Sequence, residues 1–165
     1  MRRVLFPLFL ALLAPMAGCS GGDSQVDMSK TVTDTNAPPV NLTAEVANAK
    51  SENKLLLLEF GSSDSCPPCV LVQQKVFSTP EFMAFAKTNL NFVRVDFPLK
   101  VDLRPDTVAT NELLQQQFNA DGFPTFVALD KNGKEFWRME GVTNDSLFQV
   151  SNFINLLKEV KKQEQ

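Results

Sequence analysis

The sequence predicts an α/β domain in which helices cover both faces of a mixed central sheet. Three observations carry that expectation. Leu55-Leu56-Leu57-Leu58 lies within a run, Lys54 to Phe60, that lacks polar alternation, as in a strand buried on both faces. Asp130-Lys131-Asn132-Gly133 is a hairpin turn signal between two β-rich runs. Strand and helix patterns follow one another as β-α-β-α-β-β-α, so a parallel pair precedes an antiparallel hairpin and helices lie between them.

Taken in order, Ala44 to Asn53 carries helix-forming residues behind Thr43, a plausible N-cap, and leads into the apolar strand ending Glu59-Phe60. Gly61-Ser62-Ser63-Asp64-Ser65 reads as a loop, and Cys66-Pro67-Pro68-Cys69 opens a helix continued by Val70, Val72, Val76 and Phe77; proline suits a first helical position. Thr79-Pro80 breaks that helix, and Pro80 to Lys87 starts another with Phe82, Phe85 and Ala86 on one face. Asn91 to Asp96 alternates like a strand. Phe97 to Thr110, with its prolines and charges, reads as loop, Asn111 to Phe118 as a short helix, and Phe123 to Leu129 as a strand. Beyond the turn, Lys134 to Met139 pairs back, and Val142-Thr143-Asn144-Asp145 caps an amphipathic helix, Ser146 to Lys162, whose late lysines suit its C-terminal dipole. Trp137 and the many phenylalanines read as core.

The N-terminus has a different character. Met1-Arg2-Arg3 is followed by an uncharged Leu- and Phe-rich run from Val4 to Ala17, short against the ~20 apolar residues of a spanning helix, so it reads as an export signal. Met16-Ala17-Gly18-Cys19 resembles the lipobox of bacterial lipoproteins, which implies cleavage before Cys19 and lipid on that cysteine. Ser20 at the second mature position resembles the outer-membrane sorting pattern of enteric-type bacteria. Ser20 to Val40 is rich in Ser, Gly, Asp, Thr and Asn and has no apolar periodicity, as in a flexible tether. The expected organisation is therefore a signal peptide at 1–18, a lipidated cysteine with its tether at 19–40, and a folded domain at 41–165.

Composition excludes whole classes of chemistry. The 165 residues contain no histidine, so no Ser-His or Cys-His catalytic pair, HExxH zinc site or His-ligated haem is available. Acidic residues number 19 against 16 basic, and Arg2 and Arg3 belong to the leader, so the mature chain is acidic and offers no electrostatic footprint for nucleic acid. Catalysis falls to carboxylates, hydroxyls, lysines or the three cysteines.

Cys66-x-x-Cys69 at a strand-loop-helix junction is the strongest chemical signal. A helix N-terminus favours the thiolate that attacks a disulfide, and a second thiol placed one turn on can resolve the mixed disulfide. The other readings fit less well. A closed zinc site wants four ligands, haem attachment wants a histidine where Val70 stands, and a purely structural disulfide would close too small a loop to add much stability. A different class, a Cu(I)-binding metallochaperone module, would use the same two soft thiolates without a third nearby ligand.

Several motifs together resemble the thioredoxin superfamily, nearest to exported bacterial thioredoxin-like domains. They are the G-S-x-x-C-x-x-C loop from Gly61 to Cys69, the D-F-P segment Asp96-Phe97-Pro98, and Gly122-Phe123-Pro124-Thr125 running on to Leu129-Asp130 ahead of a hairpin. The resemblance spans about Leu42 to Lys161 and implies a thioredoxin-like fold. It further implies that Cys66 is the attacking, more exposed thiol and Cys69 the buried resolving one. Phe123-Pro124 would be a cis peptide beside the disulfide, where the backbone of residue 123 pairs with an incoming peptide, with Pro67 and Pro68 in the same contact surface and Gly141 closing the last strand nearby. Glu59, at the end of a leucine run, is expected to be buried, which raises a carboxyl's pKa and suits it to move a proton; in the family that position deprotonates the resolving cysteine, here Cys69. Arg94 falls where thioredoxins keep a lysine near that acid, though alternation alone equally allows a surface position. Ser65 departs from the family's usual Trp before the first cysteine.

The residues between the cysteines bear on the direction of electron flow. Pro67 and Pro68 remove two backbone donors near the Cys66 sulfur, which argues for a Cys66 pKa only moderately lowered and a couple poised to donate electrons. The expected protein is a membrane-tethered, extracytoplasmic thiol-disulfide oxidoreductase facing the periplasm, reducing envelope proteins with disulfides or apo-cytochromes awaiting haem, with disulfide isomerase or oxidase as the alternative. It would need no cofactor beyond the Cys66/Cys69 disulfide. With no nicotinamide or flavin fingerprint in the chain, a membrane thiol reductase would recharge it. No dimerisation segment stands out, so a monomer is expected.

Overall fold

The computed structural model describes residues 35–142 and 144–164; the leader, Cys19, most of the tether, and Thr143 lie outside the described residues. Among the described residues are five α-helices and four strands: α1 (Leu42–Glu52), β1 (Leu55–Gly61), α2 (Pro67–Val72), α3 (Pro80–Asn89), β2 (Leu90–Asp96), α4 (Pro105–Phe118), β3 (Thr125–Leu129), β4 (Glu135–Glu140) and α5 (Val150–Gln163). The strands form one mixed sheet in the order β2-β1-β3-β4. β1 and β2 are parallel, while β3 runs antiparallel to both β1 and β4.

Every residue of β1 is buried, as a central strand covered on both faces requires. Alternation then sorts its side chains. Leu55 and Leu57 join a core with Phe77, Phe82, Phe92, Phe126 and Phe153 beneath α2, α3 and α5. Leu56, Leu58 and Phe60 join a second core with Val93, Val95, Leu114 and Phe118 beneath α1 and α4. The chain before α1 also contributes to this second core: Val40 packs against it, and the Thr107 hydroxyl donates to the Ala37 carbonyl at 3.0 Å.

Three local expectations are corrected. The cap of α1 is Asn41 instead of Thr43; its Oδ1 accepts from the Ala44 amide at 3.1 Å, and asparagine is the stronger capping residue. The segment read as loop to Thr110 turns helical at Pro105, because proline and Asp106 fill the first turn, where a missing N–H costs nothing and an acid suits the dipole. The last helix is preceded by a separate 3-10 turn, Asp145–Phe148, capped by Asn144, so α5 starts only at Val150. α2 passes into a π-turn, Gln73–Phe77, before Thr79 caps α3 with Pro80 in its first turn.

Candidate redox site

The C-terminal end of β1 supplies the base of the site. Glu59 has the same parity as Leu55 and Leu57, so its side chain enters the layer covered by α2, where it is 1% exposed. Arg94 lies opposite it in the parallel register and shares the parity of Phe92, so both charges meet on one face. Arg94 Nε donates to Glu59 Oε2 at 2.6 Å and Nη1 donates to Gln73 Oε1 at 2.7 Å, while Gln73 Nε2 donates to the Ser78 hydroxyl at 2.9 Å. Strands β1 and β2 are thereby tied to the π-turn that continues the cysteine helix. Burial works against the Arg94 charge, but the adjoining Glu59 carboxylate, in charge and in hydrogen bonding, and Asp96 hold the guanidinium above its ordinary value.

Cys66 is the N-cap of α2 and is disulfide-bonded to Cys69, with the two Cα atoms 5.2 Å apart. Its Sγ accepts from the Cys69 amide at 3.2 Å; Pro67 and Pro68 fill the intervening positions and carry no N–H. Cys66 sits at the rim, 9% exposed, whereas Cys69 is 1% exposed. Gly61 separates Cys69 from Glu59. A Cβ there would stand 2.9 Å from Glu59 Oε1 and 3.3 Å from Cys69 Sγ, so those two atoms border one small space. Oε1 is buried and has no hydrogen-bond partner among the described residues.

Two further segments reach the same end of the sheet. The Phe123-Pro124 peptide is cis, directly before Thr125, which faces Phe60 across the β1–β3 pairing. Gly141, at φ +70°, donates its N–H to the Pro124 carbonyl at 2.7 Å. Phe123 stacks on Phe97 with ring centroids 5.3 Å apart, and the Phe97 amide donates to the Gly61 carbonyl at 2.9 Å. Pro67 is exposed and Pro68 half-buried at the mouth. Cys66, Cys69, Glu59, Arg94, Phe123, Pro124 and Gly141 thus gather at one pole, while Cys19 lies outside the described residues. Trp137 packs against the first core.

Sequence reasoning did not find Gln73, Asp64 or the part played by Phe97. Gln73 left a faint signal, a polar residue one turn after Cys69 on the buried side of an apolar helix. Asp64 holds the active loop together: its Oδ1 accepts from the Ser62 hydroxyl at 3.2 Å and from the Leu99 amide at 2.9 Å, and its Oδ2 accepts from the Lys100 amide at 2.8 Å. Such a partner, 35 residues along the chain, leaves no mark in a local pattern.

A disulfide at a helix N-terminus, a cis-proline loop on the neighbouring strand and a buried acid below them define a thioredoxin-fold dithiol protein, a class whose chemistry is thiol-disulfide exchange. The chain belongs to the thioredoxin-like family, whose domain model matches residues 42–153. It is 35% identical over 92 residues to the disulfide bond reductase DsbH of Chlamydia pneumoniae, covering 56% of this chain and 55% of that protein, so the match spans about half the length of this relative. A solved structure described as DsbH oxidoreductase is similar at TM-score 0.64 and 26% identity, over 79% of this chain and 90% of that one. The oxidised C-terminal domain of Neisseria meningitidis DsbD shares the fold at TM-score 0.50 and 16% identity, over 74% and 98% of the two chains.

Proposed function

We propose that this chain is an extracytoplasmic thiol-disulfide oxidoreductase that works as a reductant, held to the membrane by lipid on Cys19 and a tether to about residue 40. One observation carries the reading: Cys66 and Cys69 form the first turn of α2 with one sulfur at the rim and the other buried beside Glu59. In the reduced form the Cys66 thiolate attacks a partner disulfide, displacing one partner sulfur as a thiolate that takes up a proton. Cys69 gives its proton to the Glu59 carboxylate and attacks Cys66, releasing the second partner thiolate and leaving the Cys66–Cys69 disulfide. Two electrons pass to the partner in each cycle. Phe123 and Pro124 would seat the partner backbone, with Pro67, Pro68 and Gly141 around it.

The direction rests on the N-terminus of α2. A strong oxidant stabilises its reduced form by donors around the attacking sulfur, and here the two prolines supply none, leaving the Cys69 amide to donate to Cys66 Sγ. The similarity to a protein named a disulfide bond reductase points the same way. Envelope proteins with disulfides are the expected substrates and a membrane thiol reductase the expected electron donor. A Cu(I)-binding module would use the same two sulfurs in their reduced form, and copper titration of the reduced chain separates that alternative from thiol-disulfide exchange.

The test is the redox potential of the full chain, equilibrated against glutathione or dithiothreitol buffers and read by mass after thiol alkylation. A value near the thioredoxin end, roughly -270 mV, is expected; one near roughly -120 mV would assign the protein to disulfide insertion.

A further inference from the structure

Leu99 is the most exposed of the large apolar side chains among the described residues, at 81%, and Val101 two residues on is exposed as well. A lone exposed leucine in a loose loop means little. This loop is fixed to the site at four points. The Ser63 amide donates to Asp96 Oδ1 at 2.8 Å, the Phe97 amide donates to the Gly61 carbonyl, Phe97 stacks on Phe123, and the Asp64 carboxylate accepts from the amides of Leu99 and Lys100. Each fastening ends on the loop before Cys66 or on the residue before the cis-proline. The backbone of Leu99 is therefore immobilised against the redox site while its side chain is left in water, an arrangement that gains nothing for the isolated fold.

Resting on the oxidoreductase reading, we propose that Leu99, with Val101, is a specificity-determining contact for an extended partner segment whose cysteine engages Cys66. The geometry sets the reach. Asp64 is two residues from Cys66 and its carboxylate holds the Leu99 amide directly, which puts the two backbones within about 14 Å at full chain extension. At ~3.3 Å per residue of extended peptide, the matching partner side chain lies about two to four residues from its reactive cysteine. The chemistry of the contact asks for an aliphatic side chain there. The stacked rings of Phe123 and Phe97 lie between the cis-proline and Leu99 along the chain's fastenings, and they offer such a segment apolar surface beside the disulfide.

The experiment compares the full-length reduced wild type with Leu99→Ser and Leu99→Met on three substrates: hydroxyethyl disulfide, and two synthetic disulfide peptides that differ only in carrying Leu or Ser three residues from the cysteine. Leu99→Ser is expected to lower kcat/KM about tenfold on the Leu peptide alone, roughly the loss of one buried apolar contact, with the other two substrates within about twofold and Leu99→Met near wild type. Equal rates for wild type and Leu99→Ser on the Leu peptide would overturn the inference. So would an equal loss on hydroxyethyl disulfide, which would mean that Leu99 acts on the cysteine pair itself. A wild type inactive on all three substrates would remove the oxidoreductase reading and this inference with it.

Discussion

Arg94 does at this site what a lysine could not. Its planar fork places one N–H on Glu59 and another on Gln73, so one cation both neutralises a buried carboxylate and fastens the cysteine helix to β2. A lysine offers a point charge on a flexible stem and cannot hold both oxygens in that geometry. Arg94→Leu would strand a buried carboxylate and is expected to cost about 3–5 kcal/mol in urea unfolding, whereas Arg94→Lys should lose less than half as much. Glu59→Gln separates chemistry from structure: the amide retains the shape and an acceptor for Arg94 but cannot receive the Cys69 proton. It should slow resolution of a trapped Cys66 mixed disulfide by about 10–100-fold in single-turnover assays near neutral pH, with formation of that mixed disulfide unchanged. Equal resolution rates would take the proton role from Glu59. The acid was legible in the sequence because a carboxylate ending a run of leucines must go somewhere dry. Its partner was legible only through the resemblance, which puts a cation near that acid, since strand alternation assigns Arg94 to a face without saying which face is covered. Gln73 was hidden because a single amide in a helix has no periodic signature.

The loop between β2 and α4 shows the same contrast at the level of elements. β1, β2 and the hairpin announce themselves by apolar runs and turn residues, which depend on neighbours in sequence. The span from Phe97 to Arg104 takes its shape from Asp64 and Gly61, more than thirty residues away, so its prolines and charges suggested only irregular chain. The same local reading hid the first turn of α4, because Pro105 serves equally as a breaker and as a helix start. Asp64 makes this loop sensitive to acid. The Leu99 amide first, then the Lys100 amide, the Ser62 hydroxyl and the Lys100 charge hold its carboxyl below the ordinary carboxylate range against a smaller desolvation effect. A carboxyl whose folded pKa is depressed contributes its stabilisation above its unfolded value and loses it as pH falls through the folded one. The protection factors of the Leu99 and Lys100 amides, taken against the intrinsic exchange rate at each pH, should therefore hold from neutral pH into the ordinary carboxylate range and fall only below it, while Asp64→Asn should remove protection of both amides already at neutral pH. Protection that persists in Asp64→Asn would show that the backbone alone holds the loop.

At the scale of the whole molecule, the sheet separates two apolar cores, and the redox pole stands at the C-terminal end of β1, where the chain turns into α2. The disulfide closes a ring with two residues between its cysteines, and neither cysteine belongs to either core cluster. Folding and redox potential are then linked by one thermodynamic cycle. The difference in unfolding free energy between the oxidised and reduced forms equals the difference between disulfide stability in the folded and in the unfolded chain. A protein that inserts disulfides must have a folded state that prefers the dithiol, and it unfolds more easily when oxidised. A reductant has the reverse order. With Pro67 and Pro68 removing amides that would stabilise a Cys66 thiolate, the folded chain gives the dithiol little advantage, while the closed ring, worth less than a disulfide across a long loop, still restricts the unfolded chain by about 2 kcal/mol in the chain-entropy picture. Urea unfolding of the full chain, run once oxidised and once in excess dithiothreitol, should therefore find the oxidised form more stable by about 1–3 kcal/mol. A reduced form more stable than the oxidised one would overturn the assignment as a reductant independently of any substrate, because it would mean that the fold stores free energy in its disulfide and releases it by oxidising a partner.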